Sequence, residues 1–244
     1  MRSPRFRLAA ALTLIAVALL AGCQNPERLR VIEPLPPPII HAPTPSPIPA
    51  PPPPLPIVSQ PQIRGAVIVI DPGHGGRDPG ALPKYGGQMS EKTIVLDIGN
   101  RVARSLSERG ARVVMTRSGD TYPELQDRAD VAERNRADLF ISIHANSAER
   151  RSASGTIVYI FDQATTQSLR AGMRMAAALT RAGIECQGVM RKNLHVLREH
   201  SRPAMLIECG FLTNPGDAQK LNSANYRASL AAAIADGAAG YFAP

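Results

Sequence analysis

Tryptophan is absent from this 244-residue chain, aromatic residues make up only 4% of it, and cysteine occurs three times, at Cys23, Cys186 and Cys209. So few cysteines supply neither a disulfide framework nor a thiolate-rich metal site, and two inert thiols at Cys186 and Cys209 are expected rather than a bridge. The net charge of +8 invites a nucleic-acid reading. No basic run is interleaved with aromatics, however, and that partner is excluded. Glycines cluster at 73–80, but no G-K-[ST] follows them and the G-x-G-x-x-G spacing fails, so they form no phosphate loop. The one long apolar run, LAAALTLIAVALLAG, is too short to span a membrane. No internal repeat and no second folded domain are visible.

What is present divides the chain into three. Residues 1–23 read as an export signal, with Arg2, Arg5 and Arg7 ahead of the apolar run. Leu20-Ala21-Gly22-Cys23 resembles the lipobox of bacterial lipoproteins, which implies lipidation at Cys23. Gln24, not being Asp, then points to the outer membrane and a periplasmic location. Residues 24–64 read as a proline-rich linker, with fourteen prolines in 34–61. Proline fixes φ and removes backbone donors, so this arm favours extended polyproline II and spans on the order of 80 Å. Residues 65–244 have the length of one ordinary domain. Six of the 28 basic and two of the 20 acidic residues precede position 65, leaving 22 against 18, an excess of four.

Within that domain, strand signals fall at 66–70, 112–117, 138–144, 156–161, 193–197 and 204–208. Most are continuous apolar runs, as expected of strands covered on both faces. Helical patterns occupy 91–108, 124–136, 164–182 and 223–241. In the first, Ile94, Val95, Ile98, Val102 and Leu106 recur at three- and four-residue steps, with Ser90 as N-cap and Gly110 just past the end. The alternation predicts an α/β three-layer sandwich: a mostly parallel sheet of about six strands with helices on both faces.

The chemistry-bearing residues sit at the ends of these elements. AVIVIDPGHGGRDPG delivers His74 from a strand exit, Ser90-Glu91 opens a helix, and LFISIHANS ends a strand in His144. Two histidines and a carboxylate on separate elements are what an open zinc site requires, the fourth position being left to water. AMLIECGFL adds Glu208 as a candidate general base. Alone, each residue has a plain structural role, such as Glu91 complementing a helix dipole. Strand C-termini form the site edge of an open α/β sheet, however, and all four groups can meet there. Cys209 alternates with Glu208 along its strand and is expected to face away from the cleft. His195, placed on the 193–197 strand, and His200 are not needed as ligands. Asp71, Ser142 and Asn146 flank the ligands and are expected to hydrogen-bond them.

Taken in order, IDPGHGG, the Glu91 helix start, SIHAN and IECGFLTNP make residues 66–244 resemble the zinc-dependent N-acetylmuramoyl-L-alanine amidases of the Amidase_3 type. The resemblance implies a peptidoglycan hydrolase that cuts the amide between N-acetylmuramic acid and L-alanine, in cell wall remodelling or daughter-cell separation. It implies Zn2+ held by His74, Glu91 and His144, with Glu208 as the catalytic carboxylate. Some relatives carry a long insertion after SIHAN that an activator protein displaces. Here only SAERRSASG follows, so an open site that needs no activator is expected. No further targeting domain is expected either, the lipid and the proline arm taking that role. A zinc peptidase and a non-catalytic wall-binding lipoprotein remain as alternatives, though neither a ligand nor Glu208 is missing, as the latter would require.

Overall fold

Apolar, β-branched runs separated by helix-forming stretches give twelve elements among the described residues. They are β1 (Val67–Pro72), α1 (Glu91–Glu108), β2 (Arg112–Met115), α2 (Leu125–Arg134), β3 (Leu139–Asn146), β4 (Thr156–Ile160), α3 (Thr166–Arg181), β5 (Cys186–Arg191), α4 (His195–Arg198), β6 (Ala204–Phe211), α5 (Pro215–Asn222) and α6 (Ala224–Phe242). The structure is a computed structural model that describes residues 63–84 and 88–243. The expected signal peptide, Cys23 and the linker up to residue 62 lie outside the described residues.

The six strands form one sheet in the order β2-β1-β3-β6-β4-β5. Every neighbouring pair is parallel except β4 with β6. Side chains alternate across it: Ile68 and Ile70 join the core under α1, α3 and α6, whereas Val69 and Phe140 join the one under α2 and α4. Both faces are therefore covered, which is why the central strands read as unbroken apolar runs. The apolar stripe expected of the first helix is buried in α1 at Ile94, Val95, Ile98, Val102 and Leu106. Ser90 occupies its N-cap, but its side chain accepts no backbone hydrogen bond; the hydroxyl instead meets that of Thr93 at 3.1 Å. Gly110 follows the C-cap at φ +90°.

One strand was expected in the wrong place. Residues 193–197 are not a strand; His195–Arg198 make a single helical turn, α4, whose Val196 and Leu197 are buried against the α2-side core. The sixth strand is β5, the outermost beside β4. Its sequence, CQGVMR, is half exposed, and Gln187 and Gly188 split its apolar residues, so it carries no long apolar run to read. Helix α5 was also unforeseen, although its start is signalled. Asn214 caps it by accepting from the Gly216 and Asp217 amides, and Pro215 follows at the first helical position.

Candidate metal centre

The site is built where β1 and β3 end. Beyond Pro72, the Gly73 amide donates to the Ile143 carbonyl at 3.0 Å, extending the β1–β3 ladder by one step. Gly73 is required here by close approach, since a Cβ on it would stand 2.2 Å from the His144 ring. His74 then adopts φ +59°, a left-handed conformation that non-glycine residues rarely take. Two buried arginines hold it there. Arg128 donates to the carbonyls of Pro72 (2.8 Å) and His74 (2.7 Å), and Arg117 to those of Pro72 (2.9 Å) and Gly73 (2.7 Å). Arg128 is neutralised by Asp71 at 2.9 Å, whose carboxylate also accepts from Thr116 (2.6 Å) and Ser142 (2.7 Å).

The loop so fixed turns the His74 ring toward Glu91, the first residue of α1 and only 4% exposed. One carboxylate oxygen of Glu91 faces His74 Nε2 at 2.9 Å, His144 Nδ1 at 3.0 Å and the Ala145 amide at 2.9 Å. The other accepts from the Ala81 amide at 2.8 Å. On its far side, His74 Nδ1 meets Asp78 Oδ2 at 2.7 Å. Burial opposes charge on Glu91, but hydrogen bonds from His144 and His74, and their positive charge, hold its carboxyl well below the usual range. Burial likewise works against a charged His74 imidazole, yet Glu91 and Asp78 together raise it.

One ligand atom from each of His74, Glu91 and His144 can be chosen so that all lie within 4.8 Å of one another. Two imidazoles and a carboxylate converging at that separation fit a divalent ion of borderline softness such as zinc. Asp78 fixes the His74 ring from behind, as an outer partner of a metal-bound histidine does. Sequence reasoning missed Asp78. Its signal was a carboxylate four residues after His74, in a glycine-rich turn. The partners expected instead do other work. Asp71 and Ser142 lie one layer deeper and brace Arg128, while the Asn146 side chain accepts from the adjacent Ser147 amide at 2.8 Å.

Glu208 lies on β6 directly opposite His144 of β3. Its Oε2 is buried and has no hydrogen-bond partner among the described residues. Burial, reinforced by the Glu91 charge and opposed by that of His144, pushes its carboxyl up to about 7. Cys209 points the other way, into the core shared with α1 and α6, and burial raises its thiol well above the ordinary value. Both Cys186 and Cys209 are free thiols. A cavity of about 180 Å³ opens beside the cluster, and His74, Asp78, His144 and His195 contribute to its walls. His195 is thus nearer the site than its supposed strand implied; its Nε2 meets the Gln126 side-chain oxygen at 3.2 Å. His200 is remote, packed edge-on to Phe140.

Comparison with known proteins gives a consistent answer. A family model described as N-acetylmuramoyl-L-alanine amidase matches residues 68–239. The chain is 38% identical over 183 residues to the N-acetylmuramoyl-L-alanine amidase LytC of Bacillus subtilis, covering 73% of this chain and 36% of that protein's length. Among solved structures, the amidase AmiC2 of Nostoc punctiforme superposes with a TM-score of 0.64 at 38% identity, covering 71% of this chain and 94% of that one. The CwlD amidase of Clostridioides difficile, solved in complex with the GerS lipoprotein, gives 0.68 at 29% identity, covering 72% and 98%.

Proposed function

Because the chain belongs to the N-acetylmuramoyl-L-alanine amidase family, we propose that it hydrolyses the amide between N-acetylmuramic acid and the L-alanine of peptidoglycan stem peptides, with His74, Glu91 and His144 holding zinc and Glu208 moving the proton. The observation that carries this reading is the convergence of those three ligand atoms within 4.8 Å, next to a buried carboxyl with an unpartnered oxygen. A zinc ion bound there would polarise the scissile carbonyl and acidify its water.

The protein's own groups do the rest. Asp78 keeps Nδ1 of His74 occupied and so leaves Nε2 as the ligand atom. The Arg117 and Arg128 hydrogen bonds fix the carbonyls on either side of the ring, so it need not reorganise on binding. Glu208, with burial holding its affinity for a proton near neutrality, accepts a proton from the attacking water and returns it to the departing alanine nitrogen. Both transfers matter, since an unprotonated amine is a poor leaving group.

No helix among the described residues is long and apolar enough to cross a membrane. The reading is completed by an anchor, with Cys23 lipidated in the outer membrane and residues 24–64 carrying domain 65–244 to the wall from the periplasmic side. Cys23→Ser should leave the membrane fraction; its retention there would refute the anchor. The role is cell wall remodelling or separation of daughter cells. The β3–β4 connection, 147–155, contains no helix; that the cleft works without an activator is part of the proposal. The test is digestion of purified peptidoglycan by the purified chain alone. Intact stem peptides with free N-terminal L-alanine are expected; release of D-alanine only would mean a peptidase, and activity only on adding a second protein would remove the no-activator claim.

A further inference from the structure

We propose that Lys192, whose ammonium is held over the ring of Tyr159 beside Glu208, binds a carboxylate on the peptide leaving group and makes the enzyme selective for acidic stem peptides. This rests on the amidase reading above.

The placement comes from the sheet. On the antiparallel pair β4–β6, Tyr159 lies opposite Leu206 and Ile157 opposite Glu208. Tyr159 and Glu208 therefore share a face and are diagonal neighbours, about 7–8 Å apart, a gap that aromatic and long side chains bridge. Lys192 follows β5, and its amide donates to the Ile160 carbonyl at 2.9 Å. Its Nζ stands 4.8 Å from the centroid of the Tyr159 ring, the range of a cation–π contact. No carboxylate of the described residues lies within ion-pair distance of this ammonium, although the surface holds many such pairs. Among the described residues, an unneutralised cation thus stands on an aromatic platform one diagonal step from the catalytic carboxyl. The charge of Lys192 is felt at Glu208, where it favours the ionised form.

The direction of bond cleavage says what meets that cation. Glu208 delivers its proton to the nitrogen that departs, and that nitrogen belongs to the peptide. The peptide therefore runs along the flank of Glu208, and the sugar lies on the other side of the broken bond. Lys192 lies beyond Tyr159 from Glu208, so the anion it meets belongs to the peptide beyond the scissile bond, and in an acidic stem the free carboxylate of the residue after L-alanine is the first one there.

Two synthetic muramyl peptides, alike except for a carboxylate or a carboxamide on the residue after L-alanine, separate the possibilities when assayed with the full chain purified in detergent. The wild type should prefer the acid through KM. Lys192→Gln should raise KM for the acid, relative to KM for the amide, about two- to fivefold, the range of a solvent-exposed ion pair. Lys192→Arg should retain the preference. Cleavage of both substrates by the wild type without discrimination, or an equal loss on both in Lys192→Gln, overturns the proposal and leaves the amidase reading standing. Failure of the wild type to cleave either refutes the amidase reading and this proposal with it.

Discussion

Glu208→Gln should stabilise the metal-free protein at alkaline pH and do nothing for it in acid. The carboxyl of Glu208 is raised from its ordinary 4.5 to about 7, so the folded protein holds this proton more tightly than the unfolded chain does. That advantage is fully present below pH 4.5 and is lost as pH rises through 7. A gap of about 2.5 units at 1.36 kcal/mol each corresponds to roughly 3 kcal/mol, or about 2 kcal/mol once partial solvent access is allowed for. Glutamine keeps the shape and carries no charge. The assay is urea unfolding of chelator-treated wild type and variant, followed by circular dichroism from about pH 4 to pH 8. The variant should gain about 2–3 kcal/mol on the wild type between those limits. With zinc added, the gain should shrink, because a nearby cation favours the carboxylate. A difference that stays constant across pH would refute the argument, since it would mean that the Glu208 carboxyl is not strained by its burial.

Three further outcomes follow from the site. His144→Ala removes one of three ligands, and the purified variant should lose most of the zinc found in the wild type by atomic emission; full metal content would end the assignment of this residue. Asp78→Ala leaves the ligands in place but frees the His74 ring, and zinc affinity should fall ten- to a hundredfold in a chelator competition, against no change if Asp78 is only a surface acid. Arg128→Met leaves Asp71 buried without its cation and should cost about 3–5 kcal/mol in chemical unfolding. A loss below about 1 kcal/mol would show that the paired carbonyls of Pro72 and His74 do not depend on it.

The parts of this protein that were legible in the sequence are those whose signal is local. The stripe from Ile94 to Leu106 is one face of one helix, and all its members are buried. The runs that became β1, β3 and β6 are apolar because both faces of the sheet are covered, and their ends are where polar groups collect. Opposition of Cys209 to Glu208 is likewise a consequence of strand alternation. What escaped depends on tertiary position. β5 is half exposed at the sheet edge and its apolar residues are split by Gln187 and Gly188, whereas Val196 and Leu197, bare of context, look like strand and are buried by one helical turn. The bracing of His74 was invisible for the same reason. Arg128 stands 57 residues from Asp71, and nothing in either neighbourhood announces that their charges meet beneath a histidine loop.

The central claim is that water, with Glu208 as proton carrier, attacks the muramoyl carbonyl and expels the alanine nitrogen. Hydrolysis of a defined muramyl peptide in water enriched in heavy oxygen tests this directly, with the products weighed by mass spectrometry. A single heavy oxygen is predicted in the lactyl carboxylate of the muramic acid, with an unlabelled peptide bearing a free L-alanine amine. Heavy oxygen in a peptide carboxylate, with the muramoyl–alanine bond intact, would contradict the account.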